Sequence, residues 1–181
     1  MILRPARART LIFMALGMVA FATGALVGCT PRSAPTPTPT AVFATEKEAF
    51  AAAEDAYMAY NEAVNARRQG DTAADPQKYL TGAALESGLG ADRYLAERGL
   101  HVVGSGRVIS FEGDSTGKRK DTASIDANAC LDVSETRVLD DYGTEVTPSD
   151  RPIRLLLALT FVSSADTYLI SNSSLIEGAE C

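Results

Sequence analysis

The chain has 181 residues, 46% of them hydrophobic, with a formal net charge of −6 and no tryptophan. Its 17 Lys and Arg against 23 Asp and Glu exclude a nucleic-acid binder, since phosphate contacts need clustered cations. The one basic cluster, Lys118-Arg119-Lys120, is bracketed by Asp114 and Asp121 and reads as a solvated hairpin tip.

The first residues have the three parts of an export signal. Arg4, Arg7 and Arg9 are followed by an uncharged apolar or small stretch from Leu11 to Val27. The tetrad Leu26-Val27-Gly28-Cys29 resembles a bacterial lipoprotein lipobox: Leu26, Val27 and Gly28 form the signal-peptidase recognition site, and Cys29 is the lipidated residue. The other reading is an uncleaved transmembrane helix, but about 17 apolar residues sit at the lower edge of a bilayer span. Both readings place the remainder outside the cytoplasmic membrane. Each buried methylene contributes about 0.8 kcal/mol, so stable anchoring needs two or more acyl chains, such as palmitate, on Cys29. Cleavage after residue 28 removes three arginines and no acid, which takes the net charge from −6 to −9.

Thr30 to Thr40 alternates Pro with Thr and favours an extended polyproline II spacer, roughly 30 Å long at about 3.1 Å per residue. The folded domain is expected from residue 45 onward, giving a signal peptide over 1–28, a lipidated linker over 29–44 and one domain over 45–181.

Thr45 and Glu48 have capping-box spacing, and Gly70 follows the basic pair Arg67-Arg68. Between them Phe50, Ala53, Tyr57, Tyr60 and Val64 recur at intervals of three and four, one apolar stripe of a long helix. Asp75-Pro76 offers an N-cap and first-turn proline for a short helix through Leu80. Ala83–Gly88 and Ala91–Arg98 read as two further helical pieces, interrupted by Gly88 and Gly90 and stopped by Gly99. Tyr79, Leu80, Leu85, Tyr94 and Leu95 are their expected core residues.

Past Gly99 the period shifts toward 2. Arg107–Glu112 reads as a strand followed by a turn-rich Gly113-Asp114-Ser115-Thr116-Gly117. Ala123 to Val133 alternates as a long half-buried strand, with Cys130 on the face opposite its Ala and Ile neighbours. Asp140-Asp141-Tyr142-Gly143 forms a hairpin tip between Thr136–Leu139 and Thr144–Val146. Ile153–Ser163 is the most apolar strand, and Thr167–Ile176 returns antiparallel after Ser164-Ala165-Asp166. Helices first and hairpin-linked strands afterwards predict an α+β domain, with N-terminal helices packed on a curved antiparallel sheet of about four to six strands.

With Cys29 assigned to lipid, Cys130 and Cys181 remain as an even pair in a compartment where disulfides persist. A bridge between them closes a loop of about 50 residues and contributes roughly 4 kcal/mol on the loop-entropy account. Two free thiols are the alternative.

Several stretches carry a family resemblance: Tyr79-Leu80-Thr81-Gly82, Gly99, the Gly104-to-Ser110 segment, Ala129-Cys130-Leu131-Asp132-Val133-Ser134, Asp140-Asp141-Tyr142-Gly143 and Cys181. They resemble actinobacterial secreted and lipid-anchored domains of the nuclear transport factor 2-like, or SnoaL-like, superfamily. The resemblance covers residues 45–181, with Cys-x-Asp-x-Ser and the final cysteine its most specific parts. It implies a cone-shaped α+β barrel, often with a pocket between sheet and helices. Such domains often carry a Gly-Trp pair in the last hairpin; with no Trp here, Tyr168 is expected in that core position.

An isomerase-like site of that fold needs a carboxylate base and hydrogen-bond donors in an apolar cavity. Asp126 is the candidate base, and Tyr57 and Tyr60 are the candidate donors. Asp126, however, lies on the polar side of its strand, and tyrosines at helical core spacing are usually core. His101 has no nucleophile-elbow motif and reads as a strand-edge residue. The Gly113–Lys118 run fails the phosphate-loop pattern at Glu112 and Arg119. The expectation is therefore no catalytic residue, no cofactor and no metal, and a lipoprotein on the extracytoplasmic face of the cell membrane. Its domain would dock an envelope protein or a small apolar ligand. The alternative is a SnoaL-like lyase or isomerase, or a carrier of a small apolar ligand.

Overall fold

Thr45 starts helix α1 (Glu46–Arg68) as its spacing to Glu48 predicts: its Oγ1 accepts the Glu48 N–H at 3.2 Å. The structure, a computed structural model, describes residues 45–119, 122–165, 167–179 and 181. The Leu26–Cys29 motif, the Pro/Thr linker, Lys120, Asp121 and Asp166 lie outside the described residues. The stripe predicted for α1 is its buried side: Ala49, Ala53 and Tyr57 are buried, and Phe50 and Tyr60 pack partly buried against the same core.

A 3-10 turn (Pro76–Tyr79) follows, with the Asp75 carboxylate accepting the Gln77 N–H at 3.0 Å. The two helical pieces expected next are one helix, α2 (Gly82–Glu97), running through Gly88 and Gly90. The absent side chain at position 88 explains part of this, because a Cβ there would stand 3.2 Å from Leu80 Cδ1. The continuous helix also corrects the expected core. At about 100° per residue, Ala84, Gly88 and Leu95 fall on one side, while Tyr94 is turned well away from it. Tyr94 is 53% exposed and lies under the Arg98 guanidinium at 3.8 Å instead. Gly99 ends this run at a φ of +60°, a conformation favouring glycine.

Among the described residues six strands follow: β1 (Leu100–Val103), β2 (Arg107–Arg119), β3 (Thr122–Asp132), β4 (Arg137–Asp140), β5 (Arg154–Ser164) and β6 (Thr167–Leu175). They form an antiparallel four-stranded sheet of order β2-β3-β5-β6 and a separate antiparallel pair, β1-β4. The sequence predicts no range for β1, although His101, which lies in it, reads as a strand-edge residue. Strand β2 is longer than expected, since the supposed turn Gly113–Gly117 is extended and paired with β3 from Ala127 back to Ser124. Two register shifts absorb its irregularity, between Val108 and Ser110 and between Gly113 and Ser115. Such bulges on an edge strand oppose pairing with another chain.

The core lies between α1, α2 and one face of the larger sheet. Ile125, Ala127 and Ala129 of β3, Leu159 and Phe161 of β5, and Tyr168 and Ile170 of β6 meet Ala53, Tyr57, Leu80 and Ala84 there. Tyr168 takes the core position expected of it. The architecture is thus α+β with helices on an antiparallel sheet, and neither sheet closes among the described residues.

The expected hairpin tip sits beyond β4. The Gly143 N–H donates to the Asp140 carbonyl at 3.0 Å, and the Asp140 N–H donates to Thr144 O at 3.0 Å. Gly143 takes a φ of +79°. Beyond the turn, the returning Thr144–Val146 segment forms a bridge at Leu139–Glu145 and a bond from Val146 N–H to Val138 O rather than a named strand, while β4 pairs with β1 on its other side.

Candidate functional site

The α1 stripe carries Tyr57 and Tyr60 inward, with ring centroids 6.1 Å apart. Tyr57 stands 6.2 Å from Phe111, which meets Phe161 edge-on at 6.0 Å. Tyr57 is 3% exposed. Burial pushes its phenol pKa far above the ordinary range, and neighbouring Tyr60 adds to this. Burial also raises the Tyr60 pKa, with Arg68 opposing and Asp92 reinforcing the shift. Both phenols are therefore neutral at physiological pH and can only donate or accept hydrogen bonds. The aromatic rings fill the layer between α1 and the sheet.

The candidate base is not brought to them. Alternation along β3 directs Ile125 and Ala127 toward the helices and Asp126 to the opposite face. There Asp126 accepts hydrogen bonds from Thr160 Oγ1 at 2.8 Å and Ser115 Oγ at 3.4 Å, across both neighbouring strands. A sheet thus separates this carboxylate from the two tyrosines, so the three do not form an acid–base set.

The same outer face carries the cysteine pair. Cys130 is 1% exposed and bonded to Cys181, with S–S 2.06 Å and Cα–Cα 5.8 Å. Cys130 alternates away from Ala129, so the bridge lies on the side of the sheet opposite the helices, as its place in the pattern implied. The bridge ties the last residue to β3, and an Ile176 N–H bond to Leu156 O at 2.9 Å holds the start of the segment after β6 against β5.

At the end of β3 the Cys-x-Asp-x-Ser stretch turns out of the sheet. One oxygen of Asp132 accepts the Ser134 N–H at 2.9 Å, and the other accepts from Arg107 at 3.3 Å. Hydrogen bonds from Ser134 chiefly, then Arg107, draw the Asp132 carboxyl down to about 2. With Ser105, Ser134 and Glu135, this pair lines an open polar recess of about 370 Å³. The acid is engaged in holding a turn and an ion pair, so the recess offers hydrogen bonds and no poised proton acceptor at Asp132.

Sequence reasoning missed a clamp behind this recess. Asn61 and Asn65, one helical turn apart on α1, both donate to the Gly106 carbonyl, at 3.0 and 2.8 Å. The Gly106 N–H returns a bond to Asn65 Oδ1 at 2.8 Å. The i, i+4 spacing of two asparagines was the available signal, but nothing local named their partner. His101, exposed on β1, stands opposite Leu139. Among the described residues no group of three His, Cys, Asp or Glu is placed to hold a metal ion. Among them, too, no helix is long and apolar enough to cross a membrane.

Among solved structures, the chain is similar to the crystal structure of the intermembrane space region of the chloroplast protein ARC6. The TM-score is 0.50 at 14% identity, over 70% of this chain and 95% of that one. No protein-family model and no curated protein matches the chain. At 14% identity the likeness speaks to the fold alone.

Proposed function

We propose that this protein is a lipoprotein anchored through Cys29 on the extracytoplasmic face of the cell membrane, where its α+β domain serves as a docking module. The observation that carries the reading is the pairing of Cys130 with Cys181. It engages two of the three cysteines, and the third stands directly after Leu26-Val27-Gly28. A disulfide suits an oxidising compartment, which is where a lipobox would deliver the chain. The two features are independent and agree.

The docking role is favoured over a lyase or isomerase by the arrangement of the interior. A base-and-donor site needs Asp126 to face Tyr57 or Tyr60, and a sheet lies between them. An apolar-ligand carrier needs room where Tyr57, Phe111 and Phe161 pack together. The cone fold of the nuclear transport factor 2-like superfamily remains part of this reading, supported by helices that precede and cover one face of an antiparallel sheet.

Intact-mass analysis of the membrane fraction tests the anchor. The expected species is an acylated chain starting at Cys29, and Cys29→Ala should release the protein or leave uncleaved precursor. An N-terminus at Met1 would overturn the lipoprotein reading.

A further inference from the structure

The geometry points to the Asp140–Glu145 tip as the surface that engages a partner protein, with Tyr142 as its anchor; this rests on the docking reading above. Tyr142 is 94% exposed, the most exposed large hydrophobic residue described. Single exposed aromatics are common, so exposure alone says little. What distinguishes this one is how firmly the backbone beneath it is held. The Asp140 carboxylate accepts the N–H groups of both Tyr142 and Thr144, at 2.9 and 2.8 Å, on one oxygen. Two backbone bonds close the same turn, and β4 behind it is paired along its whole length with β1. Asp141 folds back so that its carboxylate occupies the space a Cβ at Gly99 would need, seating the tip on the end of α2. The turn's own chemistry is carried by Asp140 and Gly143, and the phenol contributes no contact to it. The backbone beneath the ring is fixed before any partner arrives, so insertion into a socket orders only the side-chain torsions of Tyr142, which limits the entropic cost of an aromatic anchor.

Charge identifies the kind of socket. Asp141 and Glu145 flank Tyr142, both exposed, and neither forms an ion pair with a described residue. The partner is therefore a protein with an apolar recess for one phenol ring, rimmed by Lys or Arg. An anionic lipid surface or a nucleic acid would be repelled by the same carboxylates.

The test uses the full chain in its native cells, with photoreactive benzoylphenylalanine at Thr144, whose side chain is exposed, and a control probe at Met58 on α1. The expected result is a protein adduct formed from position 144 and not from 58, with a partner peptide containing Lys or Arg. Its yield should fall about tenfold or more in Tyr142→Ala, fall also in Asp141→Asn/Glu145→Gln, which removes the charge and keeps the side-chain shape, and persist in Asp140→Asn, which keeps the accepting oxygen. Unchanged thermal unfolding of Tyr142→Ala checks that the fold is intact. An adduct insensitive to Tyr142, an adduct with lipid or with a second copy of this chain, or no adduct beyond the control would overturn the proposal. Fractionation of the same cells separates the two readings. Membrane-bound protein without a Tyr142-dependent adduct removes the tip proposal alone, and a Tyr142-dependent adduct on unacylated cytosolic protein removes the anchor alone.

Discussion

Asn65 and Gly106 pair as two strand residues would, the side-chain amide donating to the glycine carbonyl at 2.8 Å and accepting its N–H at 2.8 Å. This fastens the last turns of α1 to the backbone just before β2, across 41 residues of chain. Both groups are part-buried, so losing Asn65 leaves the Gly106 N–H without its partner while Asn61 alone serves the carbonyl. Asn65→Ala should cost about 2 kcal/mol, and Asn61→Ala about 1 kcal/mol because Asn65 still serves the same carbonyl. Urea denaturation measures both; equal small losses would show that water replaces the clamp.

Phe50 lies directly over Gly113, and a Cβ at 113 would overlap its ring. Gly113→Ala should therefore destabilise by about 1–3 kcal/mol as an overpacked core does. Adding Phe50→Leu should recover part of that loss, giving a favourable coupling in a double-mutant cycle. Additive losses would mean that the sheet edge yields instead of the ring.

Cys130 and Cys181 are separated by 51 positions. Cys181→Ser should lower unfolding stability by roughly 4 kcal/mol on the loop-entropy account, and reduction of the unmodified protein should do the same. Digestion without reductant should yield the two cysteine peptides joined, whereas quantitative alkylation would exclude the bridge.

Asp132 has a native pKa lowered to about 2, against about 3.9 for a free carboxyl. A lowered acid stabilises the folded state above the unfolded pKa and loses that contribution as pH falls through the native one. Stability should thus decline between about pH 4 and pH 2, and Asp132→Asn should remove that share of the decline. Tyr57 and Tyr60 act at the other end. Their raised pKa values leave stability intact below the ordinary phenol pKa of about 10, and it is lost as pH rises beyond. Tyr57→Phe should flatten this alkaline arm in denaturation curves taken at stepped pH.

What was legible without coordinates was local or periodic. The Thr45 cap, the α1 stripe, the alternation of β3 and the Asp140–Gly143 turn each need only a few neighbouring residues, and each stands where expected. Cysteine parity was legible for the same kind of reason, since one candidate pair remained once Cys29 was set apart. The placement of Cys130 on the outer face followed from alternation alone.

Other features depend on partners distant in sequence, and there only the tertiary structure decided. Gly88 looked like a break until Leu80 came to lie against it, and the resulting unbroken helix turned Tyr94 outward. Gly113–Gly117 looked like a turn because its glycines and polar residues favour one locally, yet β3 supplies a ladder of backbone bonds that outweighs that preference. The β1–β4 pair, the Asn65–Gly106 clamp and the separation of Asp126 from the tyrosines likewise come from long-range pairing. Periodicity says which face of an element a residue takes; it does not say which other element that face will meet.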